Sequence, residues 1–130
     1  MSRYIIDSSA WIEYLEGTKQ GLAVKEIIEN TANEIYTPAI IVAEVLSKSL
    51  RSGDKKIYEN AEKTIEQIPR IIEIDYRLAK RAAEIHAHER KKQKDFGLAD
   101  AFLAASAESI EAKILTGDPH FKGMKNVVFI

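Results

Sequence analysis

The run Arg3-Tyr4-Ile5-Ile6-Asp7-Ser8-Ser9-Ala10-Trp11-Ile12-Glu13-Tyr14-Leu15 decides the fold class. A short apolar stretch leads into an acid and two hydroxyl residues, and then into apolar positions at helical spacing. Arg3 to Ile6 read as a brief buried strand. Asp7-Ser8-Ser9 reads as the turn that starts a helix. Trp11, Ile12 and Leu15 support that helix, and Gly17 ends it.

The same grammar recurs along the chain. A second helix is expected from about Gly21 to Thr31, and a strand at Glu34-Ile35-Tyr36 closing at Thr37-Pro38. Pro38 suits the first turn of a third helix, which reaches Arg51 before Ser52-Gly53. Asp54 caps a helix carrying Ile57, Ala61, Ile65 and Ile68, and Pro69 stops it. Ile71 to Ile74 form a third strand, and Asp75 caps a long helix that ends in a basic run. Leu98 to about Ile110 is a strongly apolar helix, Lys113 to Thr116 a fourth strand and Asn126 to Ile130 a fifth. Short apolar strands alternating with helices indicate parallel pairing with helices on both faces. The expected architecture is α/β, three layers around a parallel sheet of about five short strands, with residues 1–130 forming one domain.

Composition narrows the function classes. The chain has 130 residues, of which 45% are hydrophobic, enough for a real core. Lys plus Arg (19) nearly balance Asp plus Glu (20), so any nucleic-acid surface must be a local patch. The absence of cysteine excludes disulfides, thiolate chemistry and Cys-ligated zinc. No apolar stretch is long enough to span a bilayer. The strand-like start leaves no room for a signal peptide, so a soluble cytoplasmic protein is expected. No Walker-type loop, GxGxxG fingerprint or GxSxG elbow is present.

Four acids stand among apolar neighbours. Asp7 ends the first strand, and Asp118 follows Ile114-Leu115-Thr116-Gly117. Glu44 interrupts Ile40-Ile41-Val42-Ala43 and Val45-Leu46, and Asp100 lies within Leu98-Ala99 and Ala101-Phe102-Leu103. Burying a lone carboxylate costs several kcal/mol unless it is paired or holds a metal. Three of the acids have a plainer reading: Asp7 as a helix cap, Asp118 as a turn residue and helix start, Glu44 as half of an ion pair. Asp100 resists one, since nothing cationic lies within a helical turn of it. Functional groups in open parallel sheets gather beyond the carboxyl ends of the strands. Asp7 and Asp118 stand there directly. Helix periodicity places Glu44 with Ile40, Ile41, Ser47 and Lys48, and Asp100 with Phe96, Gly97, Leu103 and Ala104. Both helical acids are therefore expected to point inward, and one shared divalent-cation site is the economical explanation.

Asp7-Ser8-Ser9-Ala10-Trp11, Val42-Ala43-Glu44-Val45, Leu98-Ala99-Asp100-Ala101-Phe102-Leu103-Ala104 and Leu115-Thr116-Gly117-Asp118 resemble, in order and spacing, the four motifs of PIN-domain nucleases. The chain is similar over nearly its whole length to the compact VapC-type toxins of toxin–antitoxin pairs. That resemblance implies an Mg²⁺- or Mn²⁺-dependent endoribonuclease that cuts RNA phosphodiesters through a metal-activated water. Asp7, Glu44, Asp100 and Asp118 would be both catalytic residues and metal ligands, with Ser9 and Thr116 supporting them. It further implies a small antitoxin that occludes the site, and a homodimer. A PIN ribonuclease of RNA processing without an antitoxin, and a non-catalytic RNA- or partner-binding module, are the alternatives. A phosphotransfer enzyme fits less well: the haloacid-dehalogenase pattern needs an Asp where Ser9 stands, and Asp75, the only candidate for a receiver, opens a helix.

Two further features are read more plainly. Arg90-Lys91-Lys92-Gln93-Lys94 is read as a solvated helix end, where the dipole favours cations, with contact to RNA phosphates or an acidic partner as the close alternative. Lys48, Arg51, Lys55 and Lys56 form a second basic patch, read the same way. His86 and His88 are two apart and cannot share a helix face, and His120 is read as an ordinary loop histidine, with contact to substrate or a metal-bound water as the lesser alternative because it follows Asp118 closely. Trp11 is expected to serve core or dimer packing.

Overall fold

The computed structural model describes residues 2–130. Five strands, β1 (Arg3–Ile6), β2 (Glu34–Pro38), β3 (Arg70–Ile72), β4 (Lys113–Thr116) and β5 (Val127–Phe129), form one sheet in the order β3-β2-β1-β4-β5. Every pairing is parallel, with Ile5 opposite both Tyr36 and Ile114, and Leu115 opposite Val128. Six helices connect them: α1 (Ser8–Glu16), α2 (Lys19–Glu29), α3 (Ala39–Arg51), α4 (Lys55–Gln67), α5 (Tyr76–Glu89) and α6 (Leu98–Ile110). The expected α/β architecture with a five-stranded parallel sheet is the one observed.

Strand order explains the two helical layers. From β1 to β2 to β3 the chain steps one way across the sheet, and from β3 to β4 to β5 it steps back past β1. Parallel crossovers are right-handed. The α1–α4 connections and the α5–α6 connection therefore cover opposite faces. The reversal also opens a crevice between the carboxyl ends of β1 and β4, the usual place for a ligand in open sheets.

Local chemistry sets the element ends. Asp7 caps α1 and Gly17 closes it in a left-handed conformation at φ 68°. Asp54 and Asp75 cap α4 and α5 through backbone amides, as read from the sequence. Helix α2 starts two residues earlier than expected because the Thr18 hydroxyl accepts from Gly21 N–H at 3.1 Å. Strand β3 is shorter than expected and sits at the sheet edge, where Ile71 and Ile74 are each 43% exposed. Among the described residues no helix is long and apolar enough to cross a membrane.

The main core joins Ile5, Ile6, Trp11, Val24, Ile41, Val45, Leu103 and Leu115, all essentially inaccessible. Trp11 is core: its Nε1–H donates to the Thr37 hydroxyl (3.3 Å), which in turn donates to the Ile6 carbonyl (3.1 Å). A second cluster of Leu78, Ala82, Phe96, Ala101 and Ala105 seals α5 against α6. Helices α1 and α2 pack closely at Gly21, where an added Cβ would stand 2.2 Å from the Glu13 carbonyl oxygen. Gly→Ala inside a helix ordinarily stabilises by about 1 kcal/mol. Here the clash is with backbone, so Gly21→Ala is expected to destabilise by roughly 1–3 kcal/mol. Urea denaturation measures this; a midpoint at or above that of the wild type would contradict the close approach.

Candidate metal centre

Asp7 is placed by the sheet itself. Its N–H donates to the Leu115 carbonyl at 3.0 Å, which ties the end of β1 to β4. Its Oδ1 accepts from the Ser8 amide at 2.7 Å, and Oδ2 accepts the Thr116 hydroxyl at 2.6 Å. The side chain is 4% exposed. Capping and membership of the acid cluster are not competing explanations of Asp7, because its two oxygens are used separately.

Thr116 and Ser9 form the floor that joins the two strand ends. The Thr116 oxygen accepts from the Asp118 amide (2.9 Å) while its proton goes to Asp7. The Ser9 hydroxyl lies 3.3 Å from Thr116 Oγ1 and accepts from Gly117 N–H at 3.0 Å. Asp118 caps the 3₁₀ turn Pro119–Phe121 through the His120 amide. Asp100 stands in the first turn of α6, where its Oδ2 accepts the Gly97 amide at 2.9 Å.

Glu44 departs from its expected facing. The buried stripe of α3 runs through Ile41, Val45 and Ser49, and Glu44 lies roughly 100° around the helix from it. The residue is exposed. It forms the open wall of the crevice rather than part of its floor. Asp100, on the other hand, is half-buried as expected, with 17% of its side chain exposed.

The four carboxylates act on one another's protonation. Burial pushes the Asp7 pKa up; Thr116 and Ser8 pull it down, and the charges of Asp100 and Asp118 raise it further. Asp100 is also pushed up, chiefly by burial and with a contribution from Asp118, against the Gly97 amide. Loss of hydration raises Glu44, and Asp7 and Asp100 add to this. Water at the open wall screens that push. Three acids thus have a strained charged form, which a cation relieves.

His120 stands closer to the acids than the favoured loop reading of the sequence implies. Its imidazole stands between three acids, with Nε2 3.0 Å from Asp95 and Nδ1 3.2 Å from Asp100 and 3.3 Å from Asp118. Hydrogen bonding to Asp95 raises its pKa, and Asp118 and Asp100 add to that. Phe96 meets the ring edge-on at 6.1 Å, and Gln93 donates to the His120 carbonyl at 3.0 Å. The basic run after α5 therefore reaches the site through Gln93. The available signal was the two-residue spacing in Asp118-Pro119-His120, which returns a side chain to the same crevice. By contrast, His86 and His88 contribute nothing to this cluster.

These residues fit a divalent cation. Asp100, Asp118 and His120 each offer a donor atom within 4.8 Å of the others. His120 Nδ1 is buried with no hydrogen-bond partner. The carboxylates of Asp100 and Asp118, with Asp7 and Glu44 adjoining, suit a hard cation such as Mg²⁺ or Mn²⁺, whereas the imidazole favours other metals and would join only in its neutral form. A larger cavity of about 660 Å³ between α5, α6 and the β4–β5 edge contains none of the four acids.

Solved structures share this fold. VapBC2 from Rickettsia felis bound to a promoter DNA fragment aligns with a TM-score of 0.76 at 17% identity, covering 98% of this chain and 97% of that one. A toxin–antitoxin complex from Klebsiella pneumoniae gives 0.75 at 20% identity, covering 96% and 95%. VapC20 of Mycobacterium tuberculosis, a sarcin–ricin loop cleaving toxin, gives 0.67 at 16% identity, covering 85% of each chain. No curated protein matches by sequence. The model of the PIN domain family matches residues 4–127, a span that contains all four acids together with Ser9, Thr116 and His120. On that match the chain belongs to the PIN domain family.

Proposed function

We propose that this protein is an Mg²⁺- or Mn²⁺-dependent endoribonuclease and the toxin half of a VapBC-type pair. The observation that carries this reading is the crevice at the β1–β4 reversal, where Asp7, Asp100 and Asp118 share a charge field with Glu44 on a PIN-family frame. Asp7, Asp100 and Asp118 would hold the cation, with Glu44 closing the open side and His120 offering Nδ1. A divalent cation bound there supplies charge neutralisation at the phosphodiester and acidity to an adjacent water.

The chain's own residues do the positioning. Thr116 orients Asp7 Oδ2 and the Asp118 backbone together, and Ser9 fixes Gly117 beneath them. Glu44, as the one solvent-facing acid of the four, is placed to accept a proton from water entering the crevice. Asp95 turns the His120 ring so that Nδ1 faces Asp100 and Asp118. Nothing in this arrangement requires a nucleophilic side chain.

An antitoxin partner is part of the proposal because the similar solved structures include complexes described as VapBC or toxin–antitoxin. A homodimer and a cytoplasmic setting belong to the same reading. The test is incubation of labelled RNA with chelator-treated protein, with and without added Mg²⁺ or Mn²⁺. Internal cleavage giving 5′-phosphate ends only with metal is expected; metal-independent cleavage or none would sink the reading.

Thr116→Val removes the hydroxyl's contacts with Asp7, the Asp118 amide and Ser9 at nearly unchanged shape. Partners of this kind are typically worth 10–100-fold in metal affinity. A loss of that order in Mn²⁺ affinity is expected by titration calorimetry. An unchanged affinity would remove Thr116 from the supporting role.

A further inference from the structure

On a helix, residues three, four and seven apart share a face. Glu44, Lys48 and Arg51 are such a set on α3, rising from the crevice wall toward the helix end. That face borders a groove of about 630 Å³ between α1 and α3. At one end the groove is lined by Ser8, Ser9 and Glu44, which belong to the acid crevice. Its far end is lined by Lys48 and Arg51. Ser47 lines it between Glu44 and Lys48, while Ile40 and Ala43 precede Glu44 on α3, so the apolar residues of that helix lie on the acid side and the two ends are oppositely charged.

Among the described residues neither Lys48 nor Arg51 enters an ion pair, whereas Arg3, Lys55, Arg70 and Arg81 all do. Both are exposed. Cations in the last turn of a helix are favoured by its dipole, but that effect does not select the face that meets the groove. Glu13, the other acid lining the groove, is engaged by the Thr18 hydroxyl. Among the described residues Lys48 and Arg51 are the unpaired cations of the groove, and Glu13 on the α1 wall keeps its own charge.

We propose that the α1–α3 groove is the track for the RNA strand and that Lys48 and Arg51 hold backbone phosphates outside the acid crevice. This rests on the ribonuclease reading and adds where the strand lies. Lys48 stands about 6 Å and Arg51 about 10 Å along the helix axis from Glu44, at 1.5 Å per residue. That reach is one to two nucleotides from the cut. Ile40 and Ala43, beside the acid end, offer an apolar surface for a base or sugar without selecting a sequence. The pair are positioning residues: they act on binding and register, not on the bond that breaks.

The experiment compares Lys48→Gln/Arg51→Gln with wild type on a labelled, mixed-sequence single-stranded oligoribonucleotide. Losing two phosphate contacts on a single strand lowers the slope of log affinity against log salt by about 1.4. At physiological salt KM is expected to rise about tenfold with kcat little changed, and Mn²⁺ affinity is expected to stay at the wild-type value. Lys48→Arg/Arg51→Lys is expected to restore the salt slope. Lys63→Gln/Lys80→Gln, which removes equal charge from exposed sites off the groove, is expected to match wild type. A wild-type KM and slope in the double variant would overturn the track. An equal effect from the Lys63/Lys80 control would also overturn it, by reducing it to overall charge. Unchanged RNA binding with lost binding of poly-L-glutamate would assign the groove to a protein partner instead. Absence of any cleavage by wild type would defeat the ribonuclease reading itself, and the track with it.

Discussion

Asp7→Asn is expected to abolish divalent-ion-dependent RNA cleavage, lowering the rate roughly 10³-fold or more, while the metal-free protein melts no earlier than wild type. Removing a central carboxylate forfeits several kcal/mol of charge stabilisation around the reacting phosphate, and each 1.36 kcal/mol is about tenfold. The fold should tolerate the change because Asn caps a helix about as well as Asp. Its Oδ1 can still accept from the Ser8 amide, while its Nδ2 would donate to the Thr116 oxygen in place of the native acceptor, so that hydroxyl must turn away. Asn also carries no charge into a position that is 4% exposed. Asp7→Ala, in contrast, loses the cap and strands the Thr116 hydroxyl, at about 1–2 kcal/mol or more. Single-turnover cleavage assays and thermal melts of both variants, beside wild type, make the comparison. Wild-type cleavage by Asp7→Asn would end the assignment of Asp7 to the chemistry.

Mn²⁺ is expected to raise the melting temperature by roughly 10 °C when present at about 100 times its dissociation constant. Mass action then contributes about 2.7 kcal/mol, and for a chain of this size each kcal/mol moves the midpoint by roughly 3–5 °C. The pH dependence of the metal-free protein follows from the raised pKa values of Asp7, Glu44 and Asp100. A carboxyl whose folded pKa exceeds its unfolded value binds its proton more tightly in the native state. Its contribution to stability is complete below the unfolded value, 3.8 for Asp or 4.5 for Glu, and is lost as pH rises through the raised value. Metal-free wild type should therefore converge with Asp7→Asn in acid and fall below it as pH rises past that window. Saturating Mn²⁺ should reverse the order at neutral pH. Parallel melting curves for the two proteins at all pH values would show that Asp7 is not strained by its surroundings.

Much of the frame was legible because periodicity and caps are local. The strand–acid–helix pattern around Asp7, the Asp54 and Asp75 caps and the apolar α6 all appear where the residues place them. What failed was facing and reach. Glu44 was expected to point inward because Ile40 and Ile41 precede it, yet the stripe that packs passes through Ile41, Val45 and Ser49. Spacing within one helix identifies neighbours, but only the partner helix decides which stripe is covered. His120 was underweighted for a related reason. Its significance depends on Asp95, Asp100 and Gln93, all about 20 or more residues away along the chain. No local pattern brings those together; β4 docking beside β1 does.

The Asp7–Thr116 contact spans 109 residues of sequence, and this has a consequence for the protein as it is made. A ribosome makes Asp7 more than 100 residues before β4 and the turn bearing Asp118 and His120. Until β4 settles against β1, Asp7 lacks its hydroxyl partner and stands apart from the other acids. A nascent chain that has already folded α1 to α4 carries half of the constellation and none of its charge coupling to Asp118. For a molecule proposed to cut RNA, much of the interval of translation is thereby a harmless one, because β4, made long after Asp7, is also the piece that arms it.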